Sequence, residues 1–311
     1  MNGKSVLLFF MDGVGMGSDD ADANPFVTAR MPRLRELLGA DWFLAGRGRI
    51  TTPRASLIPT DANLNMPRSP QSATGQATIL TGRNVSALIG QHYGPKPDSQ
   101  ITAIIAEGTL FHEVVKTGGR AALITPYPER FFEGISSGLR LLSAVPLAAT
   151  SAGLSLMTVD DLRAGRAVSP DFTGQAWRDF LGYDDVPLLS LNGAGRRIAQ
   201  IARQYQFCFF EHWPTDHRGH RGSLAEARQH LEMVDGAIGG ILDGWAEAGD
   251  EGMVIITSDH GNIEDKTHRQ HTLNPVPTIL VGRGHAEMAD LVHDLSDIAT
   301  IVRRVLALDA D

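Results

Sequence analysis

An α/β fold built on a largely parallel sheet with helices on both faces is predicted by three features of the sequence. Short apolar runs of strand length alternate with segments of helical spacing along most of the chain. The first run, Val6 to Met11, carries no polar residue, as a strand covered on both faces requires. The polar groups Asp12, Asp216 with His220, and Asp259 with His260 each come after such a run, where sheets of this kind collect ligands.

In chain order, Pro32 to Leu38 predicts a short helix, and Arg49 to Arg68, rich in Pro, Thr and Asn, reads as loops. A helix is expected over Gly75 to Leu80 and another over Thr109 to Thr117, stopped by Gly118-Gly119. Ala121 to Ile124 reads as a strand. The irregular block Tyr127 to Ser190 is the candidate lid or small insert. It holds the longest uncharged stretch, Leu141 to Val159, where Pro146, Gly153 and several hydroxyls favour burial over a membrane span. Leu191 to Tyr205 has helical spacing with Asn192 as a candidate cap, and Phe207 to Phe210 is strand-like. Leu224 to Ala248 is a long amphipathic helix through Leu231, Val234, Ile238 and Ile241. Met253 to Thr257 and Pro277 to Val281 are strands, and Leu291 to Leu308 a closing helix. No repeat or linker divides the chain, so residues 1–311 read as one domain with an insert at about 127–190.

Apolar residues make up 42% and charged residues 21%, which fits a globular chain and not a disordered one. With 28 Lys+Arg against 36 Asp+Glu the net charge is −8, which argues against a nucleic-acid binder that relies on bulk positive charge. An anionic substrate remains compatible, because bound cations reverse a local field. The lone cysteine, Cys208, excludes an intrachain disulfide and a cysteine-rich metal site, and fits the reducing cytoplasm. The N-terminal apolar run stops at Asp12, too soon for a secretion signal. Neither a membrane nor a nucleic-acid partner is expected, and no oligomeric state follows.

The chemistry lies in three segments. Thr215-Asp216-His217-Arg218-Gly219-His220 spaces a carboxylate and an imidazole four residues apart. Ser258-Asp259-His260-Gly261-Asn262 joins the same two groups directly, and His271 precedes Thr272-Leu273-Asn274-Pro275-Val276-Pro277. Mixed carboxylate and imidazole donors suit Zn²⁺ or Mn²⁺ better than Mg²⁺. Two such ions about 3.5–4 Å apart polarise a phosphoryl oxygen and activate a nucleophile. A hydroxyl nucleophile is offered by Pro70-Gln71-Ser72-Ala73-Thr74-Gly75-Gln76-Ala77-Thr78, with Ser72, Thr74 and Thr78 as candidates.

Met11-Asp12-Gly13-Val14-Gly15, Asp259-His260-Gly261-Asn262 and His271-Thr272-Leu273-Asn274-Pro275-Val276-Pro277, in this order, resemble the metal-binding signatures of the alkaline phosphatase superfamily. The nearest branch is that of cofactor-independent phosphoglycerate mutase and phosphopentomutase. Asp216-His217-Arg218-Gly219-His220 is similar to its Asp-x-x-x-His element, and the resemblance covers about residues 1–125 and 190–311. It implies a three-layer, alkaline phosphatase-like sandwich and two divalent ions, Zn or Mn. One ion would take Asp12, Asp259, His260 and the nucleophile, and the other Asp216, His220 and His271. His212, His217 and His268 have no place in the pattern.

The family's spacing, counted back from Gly82, makes Ser72 the nucleophile and Thr74 the runner-up. A helix N-terminus there would favour an anion, although Ser72 could serve only as an N-cap. The resemblance implies phosphoryl or related transfer on a small phosphorylated molecule. The insert is short and offers few cations (Arg130, Arg140, Arg163, Arg166, Arg178), so hydrolysis of a phosphate ester through a phosphoserine is the leading expectation. The alternatives are a phosphomutase, a phosphodiesterase or phosphonate hydrolase, and a catalytically silent binding module.

Overall fold

The structure, a computed structural model, describes residues 4–39, 43–249 and 252–308. Its strands are β1 Ser5–Met11, β2 Ile50–Thr51, β3 Ala55–Thr60, β4 Ala121–Leu123, β5 Phe207–His212, β6 Gly252–Ser258 and β7 Val276–Gly282. They form one sheet in the order β2-β3-β7-β6-β1-β5-β4. β4, β5, β1 and β6 are parallel. β7, β3 and β2 continue one flank as an antiparallel set.

Every residue of β1 is buried, and its side chains alternate between two cores. Leu7, Phe9 and Met11 pack with the helices Leu191–Ala202 and Leu224–Glu247. Val6, Leu8 and Phe10 pack with Ser72–Thr81 and Asp297–Leu306. Three layers result, with β1 at the centre, so its carboxyl end opens at the middle of the sheet edge. That position makes it a natural hub for a site.

Three local expectations are corrected. Arg49 to Arg68 is not all loop, because Leu57 and Ile58 bury into opposite cores and draw Ala55–Thr60 into the sheet against β7. Pro59 is tolerated there because it faces Pro277 beyond the residues paired with β2 and β6, so neither proline forfeits a ladder bond on its outer side. The helix at 191 is capped by Ser190, whose side chain accepts from the Gly193 amide, and not by Asn192. Leu291 to Leu308 is interrupted: Asp294 and Asp297 accept backbone amides of Ser296 and His293 at 2.8 Å, which makes a turn and delays the helix to Asp297–Leu306.

Residues 127–190 carry the helices Glu129–Ser136, Ala144–Ser151, Val159–Arg163 and Gln175–Leu181. The uncharged stretch supplies Ala144–Ser151, which buries Ala144, Val145 and Ala148 in the core that also holds Ser72–Thr81. Among the described residues no helix is long and apolar enough to cross a membrane.

Candidate active site

The carboxyl edge gathers all seven residues singled out in the sequence. Asp12 follows β1 directly, and Asp259 and His260 follow β6. Asp216 and His220 lie one turn apart on the helix Pro214–Arg221 after β5. His271 stands in the loop before β7, and Ser72 opens the helix Ser72–Thr81. Two glycines permit this crowding. Gly13 has φ +70°, and a Cβ there would come 2.6 Å from Asp216 Oδ1. A Cβ on Gly75 would come 2.9 Å from the Asp259 carbonyl oxygen.

Two donor sets adjoin. In the first, His260 Nε2 lies 3.0 Å from Ser72 Oγ, 3.3 Å from Asp12 Oδ1 and 3.7 Å from Asp259 Oδ2. In the second, His220 Nε2 lies 3.3 Å from Asp216 Oδ2 and 3.2 Å from His271 Nε2, which is 3.8 Å from Asp216 Oδ1. The stacked rings of His260 and His271, 3.6 Å apart, join the sets. Donors held tetrahedrally about 2.0–2.3 Å from one ion stand about 3.3–3.8 Å from each other.

The tautomers show what this arrangement can hold. His220 Nδ1 donates to the Arg269 carbonyl at 2.7 Å, and His271 Nδ1 to that of Pro70 at 2.8 Å. Neutral rings fixed this way turn their Nε2 lone pairs toward each other, a repulsive contact that a shared cation relieves. Asp12 Oδ1 is buried and accepts no hydrogen bond. The donor set therefore fits divalent metal.

Charge crowding moves the pKa values. Burial, then the Asp259 charge, pushes Asp12 up to about 8, and burial raises Asp259 as well. Burial disfavours the His260 imidazolium, but the surrounding Asp259, Asp12 and Asp216 carboxylates outweigh it and lift His260 to about 10. Burial lowers His271 to about 4 and raises Glu211 to about 7. Groups raised on folding stabilise below their unfolded pKa and lose that contribution as pH climbs through the folded one. Asp12 loses it between 3.8 and about 8, Glu211 between 4.5 and about 7, and His260 between 6.5 and about 10. Lowered histidines such as His271 act only below 6.5. Metal-free protein is therefore expected to melt at a lower temperature at pH 8 than at pH 6.5, with added Mn²⁺ or Zn²⁺ reversing the trend. Thermal unfolding in chelator checks this, and a midpoint that rises over that interval would contradict it.

The other candidates are committed elsewhere. The N-cap residue is Gln71, which makes no side-chain cap bond, so Ser72 is the first helical residue and its hydroxyl faces His260. Thr74 Oγ1 donates to the Gln71 carbonyl and accepts the Tyr93 amide, and Thr78 Oγ1 accepts the Val85 amide. His217 and His268 are exposed, while His212 pairs with His230 at 2.9 Å within the helix-covered core.

Sequence reasoning missed the residues that hold the ring of donors. Gln76 Nε2 spans Asp12 Oδ2 and Asp259 Oδ2 at 3.4 and 3.1 Å, and Asn262 Nδ2 donates to Asp216 Oδ1 at 2.6 Å. Glu264 is buried and accepts the Gly15 amide at 2.9 Å, the Asn262 amide at 2.7 Å, Asn274 Nδ2 at 3.1 Å and the Thr272 hydroxyl. One carboxylate thus ties the loops that carry Asp12, His260 and His271. Glu264→Gln replaces an acceptor oxygen by a donor amide and is expected to weaken metal binding roughly 10–100-fold with the fold retained. Calorimetric metal titration beside a circular dichroism spectrum measures both.

Comparison with known proteins bears on the same residues. A model of the metalloenzyme superfamily matches residues 189–310, the segment carrying Asp216, His220, Asp259, His260 and His271. Across 99% of its length the chain superposes on 98% of the PH0037 protein of Pyrococcus horikoshii, with TM-score 0.58 at 15% identity. It also superposes over 98% of its length on 99% of the alkaline phosphatase of the Antarctic bacterium TAB5, with TM-score 0.53 at 13% identity. The fold is alkaline phosphatase-like. Among curated relatives, the 2,3-bisphosphoglycerate-independent phosphoglycerate mutase of Thiobacillus denitrificans is 34% identical over 139 residues. That match takes in 42% of this chain and 26% of the relative, so the chain spans about a quarter of the relative's length.

Proposed function

We propose that the chain is a two-metal phosphomutase of a small phosphorylated metabolite, working through Ser72. The observation that carries phosphoryl transfer is the meeting of the Ser72 hydroxyl with two adjoining sets of carboxylate and imidazole donors. Mutase is preferred to the hydrolase expected from the short insert because the curated relatives are named as mutases. Asp12, Asp259, His260 and Ser72 would hold one divalent ion, and Asp216, His220 and His271 the other, with Zn²⁺ or Mn²⁺ suited to these donors. Ions bound there supply Lewis-acid neutralisation of phosphoryl charge.

The chain's own residues do the rest. Ser72 stands at the start of a helix whose free amides and dipole favour an incoming anion. Its Oγ attacks phosphorus in line, so the Ser–O–P bond forms as the ester bond breaks. A second hydroxyl of the same metabolite then takes the phosphoryl group back. Residues 127–190 serve as a lid that keeps the metabolite in place, and the protein works in the cytoplasm.

A second reading, hydrolysis, is favoured by the rim of the cleft beside Ser72. This cavity of about 510 Å³ is lined by Ser69, Gln71, His92 and the exposed Arg68 and Leu273, so water has a route to a phosphoserine. Phosphorus NMR with Mn²⁺-loaded protein separates the two. Phosphate exchanged between the hydroxyls of 3-phosphoglycerate, without free phosphate, is the expected result. Stoichiometric inorganic phosphate would establish the hydrolase instead.

A further inference from the structure

The helix Pro214–Arg221, which carries Asp216 and His220, is not held in place by hydrophobic packing. It has no large apolar side chain beyond its first proline, and only Thr215 and Gly219 are buried. Polar ties hold it instead. At its start the Thr215 hydroxyl donates to the Asp12 carbonyl at 2.5 Å, and Asn262 Nδ2 donates to Asp216 Oδ1 at 2.6 Å.

Its far end is held by a loop. Lys266 Nζ donates to the Arg218 carbonyl at 2.8 Å and also to that of Gly219. Both carbonyls belong to the last turn, at the negative end of the helix dipole, where an ammonium is favoured. The lysine's own amide donates to the Ala23 carbonyl at 2.9 Å, which fixes the base of its side chain. Three residues on, the Arg269 carbonyl accepts from His220 Nδ1 at 2.7 Å, and His271 follows two residues later. The run from Lys266 to His271 thus grips the helix twice and then supplies the remaining donor of the second set. The first set depends on none of this, because Asp12, Asp259 and His260 are buried directly after β1 and β6.

We propose that Lys266 is a positioning residue for the second ion. Its ammonium draws the end of the helix Pro214–Arg221 onto the loop that carries His271, and so sets His220 Nε2 against His271 Nε2 at 3.2 Å. This rests on the two-ion reading of the site. Charge and positioning predict opposite signs for the loss of this lysine. A nearby ammonium repels a divalent ion, so charge alone would make the ion bind tighter once the ammonium is gone. Loss of the tie makes it bind more weakly.

The test is a calorimetric Mn²⁺ titration of protein stripped by chelator. The wild-type protein is expected to take up two ions. Lys266→Met keeps most of the stem and loses the donors. It should weaken one ion roughly 10-fold or more, the scale for a group that orients a ligand, and change the other less than about threefold. Lys266→Arg should restore most of the loss, because its guanidinium can still donate to both carbonyls. Asp216→Ala identifies the ion concerned. In that background one ion remains, and adding Lys266→Met should change its affinity less than about threefold, since the two changes act on the same missing site. A lysine with a merely structural role would weaken both ions, and the single ion of Asp216→Ala as well. Unchanged affinities, tighter binding of either ion, an equal loss at both, or a loss that persists beside Asp216→Ala would overturn the proposal. No metal uptake by the wild-type protein would remove the two-ion reading and this proposal with it. Uptake of two ions without movement of phosphate would strike the phosphomutase reading alone.

Discussion

Ser72→Ala is expected to lower phosphoryl transfer by roughly 10⁴-fold or more, the scale seen when a covalent nucleophile is removed. The fold should survive. Ser72 is not the cap of its helix, and its hydroxyl makes one hydrogen bond, 3.0 Å from His260 Nε2, so the stability cost is about 1 kcal/mol. Thr74→Ala should do the reverse. Its hydroxyl joins the Gln71 carbonyl to the Tyr93 amide, so losing it costs about 1–3 kcal/mol of stability with a much smaller effect on rate. Steady-state kinetics and denaturant unfolding of the two variants make the comparison. An inactive Thr74→Ala beside an active Ser72→Ala would move the nucleophile to Thr74.

Asp216→Ala is expected to have the next largest effect. Its two oxygens face His220 and His271 at 3.3 and 3.8 Å, and Asn262 holds one of them in place. Without that carboxylate two neutral imidazoles are left as donors, too few to keep an ion in competition with water. Metal analysis should then give one ion per chain in place of two. Activity should fall at least roughly 10²–10³-fold, as when a single electrostatic stabiliser is lost. Two ions per chain in the variant would show that Asp216 does not hold metal.

How much of this was legible in the sequence depended on how local each signal is. Asp12, Asp259 and His260 were readable because each stands directly after a continuous apolar strand, and Asp216 with His220 because four-residue spacing marks one helical face. Ser72 was placed by the family's spacing, since chemistry alone left Thr74 and Thr78 open. The structure separates the three by what each hydroxyl touches. Glu264 and Gln76 gave no signal, because their roles come from contacts with residues far along the chain. Glu211 was hidden for another reason: one carboxylate inside an apolar strand looks like an interruption until the pairing with β1 shows which face it shares with Asp12. β3 was missed because its Thr and Pro content reads as turn, while its place is fixed by β7, more than two hundred residues on. Helix ends slipped wherever a side-chain cap decided them, as with Ser190 and with Asp294 and Asp297.

The central claim is that phosphate passes through Ser72. Its most direct measurement is mass spectrometry of peptides from Mn²⁺-loaded protein quenched in acid during reaction with 3-phosphoglycerate. The account predicts one phosphoryl group per chain, mapped to Ser72 and absent from Ser72→Ala. Phosphate on Thr74, or continued phosphoryl transfer by Ser72→Ala with no phosphorylated peptide, would contradict it.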